Sequence, residues 1–220
     1  GYNNILGFIN IFKGLLSFDF NLMFSGISQF GSGLVFLGGL MGGLLTVSFY
    51  IYRNNLNWFT VSDWVAPYLA LGHSIGRIGC FLVGDCYGKV CNLPWGVTFK
   101  NGLPPTTYES YKFYYPNSFV NDNIESHYNY GDLIYVHPTQ LYESFLYLAL
   151  FVYLIFSRKT KHYNGETFLE YLFYAGLLRF LIEFFRLNPS YYLDLTGAQY
   201  ISLLMIIVSS ILMYKFRTHK

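Results

Sequence analysis

The feature that most constrains this chain is a set of apolar runs, each close to the length that crosses a lipid bilayer. A transmembrane helix needs about 20 mostly apolar residues. Runs of this kind predict an all-α, polytopic integral membrane helix bundle, with residues 1–220 as a single membrane domain. The predicted spans are residues 34–52, 61–84, 141–157, 167–186 and 198–214.

The composition supports a membrane protein. Hydrophobic residues make up 53% of the sequence and charged residues only 12%, whereas soluble domains carry about 25% charged residues. The 22 Phe and 22 Tyr suit a surface that meets lipid, with Tyr at the interfaces. A formal net charge of +2 is too small to indicate a nucleic-acid partner.

The basic residues predict an orientation. Lys and Arg cluster after the first, third and fifth runs, and short loops rich in them lie in the cytoplasm. The C-terminus is therefore predicted to be cytoplasmic. Residues 1–33 are predicted to form an extracytoplasmic or interfacial arm, and residues 89–136 a small extracytoplasmic head. The clustered basic residues are Arg53; Arg158, Lys159 and Lys161; and Lys215, Arg217 and Lys220.

Ionisable and polar residues in or beside the spans form three clusters. A charge at mid-bilayer costs roughly 2.5–3.5 kcal/mol on insertion scales, so such residues usually face a cavity and have partners. With the predicted topology, all three clusters lie toward the outer half of the membrane, where arginines suit an anionic lipid headgroup. The clusters are His73, Arg77 and Asp85; His137, Gln140 and Glu143; and Arg179, Glu183 and Arg186.

Simpler roles stay open for several of these residues. Glu183 is compatible with a structural bridge that neutralises its neighbouring arginines. Arg186 is compatible with an interface anchor, and His73 with packing alone. The small-x3-small pairs that begin at Gly38 and Gly39 either let helix backbones approach closely or leave space for a lipid headgroup or acyl chain.

The cysteines carry no metal prediction. Cys80, Cys86 and Cys91 have the spacings C-x5-C and C-x4-C, whereas zinc sites usually begin with C-x2-4-C and need a fourth ligand. We interpret the three as small side chains in tightly packed turns. The alternative is a Cys86–Cys91 disulfide, if this region faces an oxidising compartment.

Four motifs follow one another along the chain. They are GHSIGRIGCFLVGDCYG (72–88), PWG (94–96), HPTQLYE (137–143) and LLRFLIEFFR (177–186), and VFLGGLMGG at 35–43 precedes them. Together they resemble the prolipoprotein diacylglyceryl transferase family of bacteria over roughly residues 31–190. The combination is specific, although each motif alone would be weak.

The resemblance implies a multi-pass enzyme of the bacterial inner membrane. Enzymes of this family move the diacylglyceryl group of phosphatidylglycerol to the lipobox cysteine thiol of a preprolipoprotein signal peptide. The products are a thioether-linked prolipoprotein and glycerol 1-phosphate. Neither a metal nor an organic cofactor is expected.

The residue types fit that chemistry. Guanidinium groups bind phosphate bidentately and stabilise the negative charge that grows on it, so Arg77 and Arg179 are predicted to form a phosphate clamp. His73 and His137 are the candidate bases, because imidazole titrates near neutral pH. The resemblance assigns substrate binding to Arg77, Gly76, Asp85, Gly88, Gln140, Tyr142, Glu143, Glu183, Arg186, Gly38 and Gly39.

The chain departs from the family pattern in several places. Leu37 stands where some members have a histidine before the paired glycines, and Cys80 and Asp85 stand where Asn and Glu are frequent. Family members have seven spans, and an early one supplies a functional tyrosine, so this chain is expected to be N-terminally truncated. The alternatives are an inactive lipid-binding relic and a polytopic transporter.

Overall fold

The computed structural model describes residues 32–121, 124–188 and 192–218, and these residues confirm the predicted all-α class. Within them, β structure is confined to isolated bridges. The predicted N-terminal arm lies almost wholly outside the described residues. The described α-helices are α1 (Ser32–Arg53), α2 (Trp58–Val83), α3 (Tyr108–Tyr114), α4 (Pro116–Asn121), α5 (Thr139–Ser157), α6 (Glu166–Glu183) and α7 (Gly197–Thr218). Three short 3-10 helices span Ile124–Ser126, Arg158–Thr160 and Tyr192–Asp194.

The chain divides into two compact units, Gly1–Trp58 and Phe59–Lys220. Helix α1 belongs to the first unit, as does Trp58, the first residue of α2. The rest of α2 and all later helices belong to the second unit. Gly38 and Gly39 lie on α1 and are exposed. Their packing or headgroup roles stay predictions.

Each predicted span overlaps one long helix, although the spans 61–84 and 167–186 extend one and three residues past the ends of their helices. Among the described residues, two helices are long and apolar enough to cross a membrane by length and composition. They are Thr139–Thr160 and Gly197–Thr218, with mean hydropathies of 1.4 and 1.7. Only 17% of the apolar window of the second is buried, so most of its apolar surface faces outward. The fold is a membrane helix bundle, and its orientation stays a prediction.

Helix α2 is one continuous helix over almost all of the predicted span 61–84. It runs for 26 residues through Pro67 and three glycines. Each glycine destabilises a helix by about 1 kcal/mol relative to alanine. In apolar surroundings, however, a helix satisfies the backbone N–H and C=O groups, so the segment stays helical. The helix stops at Gly84, whose φ is +72° and where a Cβ would lie 2.9 Å from both Gly102 Cα and Phe99 Cδ1.

Helices α5, α6 and α7 pack together. A Cβ on Gly176 of α6 would lie 3.0 Å from the Ser202 carbonyl oxygen of α7, so this close approach needs glycine. The Tyr147 hydroxyl of α5 donates to the Ala175 carbonyl of α6 at 3.4 Å. A buried apolar cluster joins α2, α5 and α6, and its members are Ala70, Tyr147, Leu150, Leu154 and Ala175.

The segment between α2 and α5 has an apolar core of its own. Isolated antiparallel bridges, such as Val97 with Val136 and Thr107 with Leu133, hold its extended stretches together. Helix α3 begins where the Thr107 hydroxyl accepts a hydrogen bond from the Ser110 amide. The buried members of the core are Tyr87, Tyr111, Phe119, Ile124, Ile134 and Val136. This segment coincides with the predicted head, and its extracytoplasmic position stays a prediction.

A buried aspartate on α2 caps the first turn of α6. The Asp63 carboxylate accepts hydrogen bonds from the Gly165 amide at 2.8 Å and the Phe168 amide at 3.0 Å. It also lies 3.2 Å from Lys161 Nζ, and its side chain is 0% exposed. Gly165, the N-cap residue, has no side chain with which to satisfy these amides. Asp63 stands outside the three predicted clusters, although a carboxylate in an apolar run is itself a signal.

Replacing Asp63 with alanine should lower the free energy of unfolding by roughly 2–4 kcal/mol, because two helix amides lose their acceptor and Lys161 loses its counter-ion. Thermal unfolding of the purified chain in detergent would record a lower midpoint. Asp132→Ala is the control, since it removes an exposed carboxylate that accepts a local hydrogen bond from the Asn129 amide. Equal midpoints for the two variants would contradict the capping role.

Candidate active site

The centre of the candidate site is the carboxylate of Glu143 on α5. This side chain is only 1% exposed. Its Oε2 pairs with Arg77 Nε of α2. Its Oε1 lies 2.8 Å from Arg179 Nη1 and 3.3 Å from Arg186 Nη1. Three guanidinium groups that are distant in sequence therefore meet on one buried carboxylate, and all three predicted clusters contribute to one place.

A second carboxylate, Glu183 on α6, supports the arrangement. Its Oε2 lies 3.0 Å from Arg179 Nη2, and its side chain is 0% exposed. Its other oxygen accepts hydrogen bonds from Asn188 Nδ2 at 2.6 Å and Thr196 Oγ1 at 2.9 Å. Three arginines against two carboxylates leave one positive charge in excess. Such a site favours an anion.

Arg186 reaches the cluster from beyond the end of a helix. Helix α6 ends at Glu183, three residues before the end of the predicted span 167–186, so Arg186 lies past the helix. A bridge between Gly88 and Arg186 holds the arginine instead. The Lys89 amide donates to the Phe185 carbonyl at 2.8 Å in the same contact. A turn that follows α6 and is hydrogen-bonded to residues 88–89 therefore positions Arg186, where the prediction had a further turn of helix.

The contacts of Gly88 explain why this position needs glycine. A Cβ there would lie 2.7 Å from Thr139 Cγ2 and 3.0 Å from His137 Cβ. Gly88 therefore acts by close backbone approach, which positions Arg186. Gly76, which precedes Arg77 on α2, is exposed, and its assignment to substrate binding stays a prediction.

His73 lies at the edge of the same cluster. It precedes Arg77 by four residues, so both side chains lie on one face of α2. Its Nε2 is 3.6 Å from Glu143 Oε2, with the side chain 35% exposed. The ring stacks on Tyr147 with 3.9 Å between centroids. His73 is therefore packed on Tyr147, and its Nε2 is buried beside Glu143 although the ring as a whole is partly exposed.

His137 lies outside the arginine cluster, in a small aromatic group. Its Nδ1 is 3.2 Å from the Tyr142 hydroxyl, which also accepts a hydrogen bond from Trp95 Nε1 at 2.9 Å. Burial lowers the pKa of the His137 imidazole, which keeps the ring neutral to lower pH. An imidazole that donates from Nδ1 to Tyr142 leaves Nε2 with a free lone pair.

Gln140 and Asp85 are joined through the backbone. Gln140 is fully buried, and its Nε2 donates to the Asp85 carbonyl at 2.5 Å. The Asp85 carboxylate lies beside the thiols of Cys80 and Cys86 and does not join the arginines around Glu143.

All three cysteines are free, so the alternative of a Cys86–Cys91 disulfide is wrong. Cys91 is buried in the head, whereas Cys86 is exposed.

A cavity of about 600 Å³ lies between the end of α6, the start of α7 and the head. Its volume is within the range of roughly 300–1,000 Å³ that is typical of small-molecule sites. Glu183 and Arg186 link it to the arginine cluster. Its other polar lining residues include Lys89, Asn188, Asp194 and Thr196.

The sequence patterns miss the residues that support the site from a distance. Asn188 and Thr196 hold Glu183, and neither is part of a charged cluster. Trp95 orients Tyr142, and its only signal in the sequence is the PWG motif at 94–96. The roles predicted for the arginines and histidines stay predictions, although the structure brings most of them within contact of Glu143.

The fold and the site define a class: a membrane helix bundle with a buried, arginine-rich ion-pair cluster. Comparison with known families gives the particular one. The family model described as prolipoprotein diacylglyceryl transferase matches residues 3–215. The chain belongs to this family, as its motifs indicated.

Relatives described as phosphatidylglycerol–prolipoprotein diacylglyceryl transferases match most of the chain. The protein from Clostridium tetani is 35% identical over 184 residues, which are 83% of this chain and 64% of the relative. The protein from Photobacterium profundum is 32% identical over 188 residues, which are 82% of this chain and 59% of the relative. The chain thus spans about three-fifths of the length of these curated relatives.

Proposed function

We propose that this chain transfers the diacylglyceryl group of phosphatidylglycerol to the lipobox cysteine thiol of a prolipoprotein and releases glycerol 1-phosphate. The membrane family and the names of the relatives support the substrates. The proposed location is the bacterial inner membrane, with a cytoplasmic C-terminus and the Glu143 cluster toward the outer leaflet.

The observation that carries the proposal is the convergence of Arg77, Arg179 and Arg186 on Glu143. A buried carboxylate that holds three guanidinium groups preorganises them before a substrate arrives. One excess positive charge and a low-dielectric setting suit a phosphodiester headgroup. Preorganised donors aimed at developing charge are usually the largest single contribution to catalysis.

The reaction is a displacement at carbon. The cysteine sulfur attacks the diacylglyceryl carbon that is bonded to the phosphate oxygen. A C–S bond forms, the C–O bond breaks, and the electron pair goes to the phosphate oxygen of the leaving glycerol 1-phosphate. Arg77 and Arg179 stabilise the charge that grows on this phosphate, and a base takes the thiol proton.

His73 is the better placed of the two candidate bases. Its ring lies within 3.6 Å of Glu143, so it adjoins the proposed phosphate position. A thiol with a pKa of about 8.5 is mostly protonated at neutral pH, and a neighbouring imidazole can accept its proton. His137 contacts Tyr142 and Phe185 and not the arginine cluster.

The direct test is to incubate the purified chain with phosphatidylglycerol vesicles and a lipobox peptide. The expected result is a peptide whose mass increases by one diacylglyceryl group. The Clostridium tetani relative serves as the positive control. If that relative is active and this chain gives no product, the proposal is overturned and a lipid-binding relic is favoured.

The base assignment predicts a pH profile. A group that must be neutral gives an acid limb, in which activity falls as pH drops through its pKa. His73→Gln should lower the rate by at least about tenfold and remove this limb, whereas His137→Gln should keep it. If only His137→Gln removes the acid limb, the base is His137. In that case the midpoint of the parent's limb should lie below about pH 6.5, because burial lowers the pKa of His137.

A further inference from the structure

A compact group of metal-ligating side chains lies just beyond Arg77, at the C-terminal end of α2. The sulfur atoms of Cys80 and Cys86 and a carboxylate oxygen of Asp85 all lie within 4.8 Å of one another. We infer that these three side chains form a binding site for a thiophilic divalent cation of the zinc class. The proposal concerns binding, and it does not depend on the transferase activity.

The backbone holds the three ligands together. Helix α2 ends at Val83, and the next residue, Gly84, has a φ of +72°. Cys86 has a left-handed φ of +57°, which is uncommon for a residue other than glycine. The Asp85 amide donates to the Cys80 carbonyl at 3.2 Å. These features fold the chain back on itself, so that ligands five and six residues apart become neighbours.

Helix α5 fixes this turn from the other side. Thr139 Oγ1 donates to the Cys86 carbonyl at 3.0 Å, and Gln140 Nε2 donates to the Asp85 carbonyl at 2.5 Å. Because Thr139 and Gln140 are both fully buried, the turn is tied to the bundle. The ligands are therefore preorganised, which lowers the cost of collecting them around an ion.

The ligand chemistry selects the ion. Thiolate and carboxylate ligands bind Zn²⁺ at about 2.3 Å and 2.0–2.2 Å, and three protein ligands leave the fourth position open. Asp85 Oδ1 is buried and accepts no hydrogen bond from the described residues, so a cation would give it a partner. Cys80 and Cys86 alone do not have zinc-like spacing, and Asp85, which lies between them in the sequence, is the third ligand.

The charges balance around the bound ion. Binding forms two metal–sulfur bonds and one metal–oxygen bond and releases the two thiol protons to solvent. Two thiolates and one carboxylate around a divalent cation carry one net negative charge. Arg77 Nη1 lies 3.9 Å from Cys80 Sγ and can compensate that charge. A bound ion would thus give Arg77 a second anionic partner beside Glu143.

Titration of the chain with Cd²⁺ in detergent tests the site directly. We expect one equivalent to bind, with the ultraviolet charge-transfer band that thiolate ligands give to cadmium, and we expect Zn²⁺ to compete for the site. Cys80→Ser and Cys86→Ser should each weaken binding by at least about tenfold. Cys91→Ser should bind like the parent, because Cys91 is buried in the head. Equal binding by all three variants, or no thiolate band in the parent, would overturn the proposal.

A measurement on the unaltered chain guards against variants that fail to fold. Cys86 is exposed, so a maleimide should label it in the absence of metal. Saturating Zn²⁺ should slow that labelling by at least about tenfold, as peptide mapping by mass would show. Labelling at an unchanged rate would contradict the site even if the variants were unstable.

The consequence for catalysis rests on the proposed function. If a metal-bound thiolate draws Arg77 from Glu143, Zn²⁺ should inhibit transfer by the parent and not by Cys86→Ser. Binding is read from the cadmium band and inhibition from the lipidated peptide, so failure of one is distinguishable from failure of the other. Equal inhibition of the parent and of Cys86→Ser would overturn this link.

Discussion

Replacing Glu143 with alanine should abolish transfer and destabilise the protein. The variant would leave three guanidinium groups facing one another without their common carboxylate. Removing one partner of a buried ion pair typically costs roughly 3–5 kcal/mol. The loss of ordered arginines should also reduce the transfer rate by about 10³-fold or more. Thermal unfolding and the lipobox peptide assay measure the two effects separately.

Glu143→Gln separates the charge from the shape of the side chain. The amide preserves the volume and can accept one hydrogen bond from an arginine, but it removes the negative charge. We expect a smaller loss of stability than for alanine and a similar loss of activity. Glu170→Gln is the control, because Glu170 on α6 bonds to Ser157 and lies outside the cluster. Near-normal transfer by Glu143→Gln would show that the charge at this position is dispensable.

Replacing Arg77 or Arg179 with alanine should reduce transfer by roughly 10²–10³-fold each, which is the typical effect of removing one donor to developing negative charge. Both residues contact Glu143, yet their side chains are 15% and 24% exposed. They are therefore ordered and still accessible to a headgroup. Phosphatidylglycerol-dependent lipidation of the peptide is the measurement.

Lysine variants make this test more specific. Arg77→Lys and Arg179→Lys keep the positive charge and lose the planar fork that binds phosphate bidentately, so most of the activity should still be lost. Arg158→Ala is the matched control, because Arg158 lies over the Trp64 ring, 5.5 Å from its centroid, and not on Glu143. Unchanged transfer by both single variants, Arg77→Ala and Arg179→Ala, would contradict the phosphate-clamp assignment.

The spans and the charged clusters could be predicted from the sequence because both follow from the cost of placing groups in lipid. Long apolar runs become helices, and charges within them need partners. Helical spacing also places His73 beside Arg77, and Arg179 beside Glu183. In the structure, Arg179 Nη2 lies 3.0 Å from Glu183 Oε2. The family motifs then add the order in which the clusters occur.

The remaining details depend on how helices and loops meet, which no local pattern records. Glu143 is the common partner because α5 lies between the arginines of α2 and α6, and that placement is tertiary. Arg186 lies past the end of α6, where a bridge to Gly88 replaces helical periodicity. The Asp85 carboxylate turns to Cys80 and Cys86 because the chain reverses at Gly84.

The cap at the start of α6 also constrains the order of events during synthesis. Asp63 leaves the ribosome about 100 residues before Gly165 and Phe168, since the sequence separations are 102 and 105. At typical elongation rates of about 5–20 residues per second, its carboxylate waits roughly 5–20 s for these partners. Until then the buried carboxylate has neither of these amide partners. Docking of the N-terminal part of α2 onto the start of α6 therefore follows translation of α6.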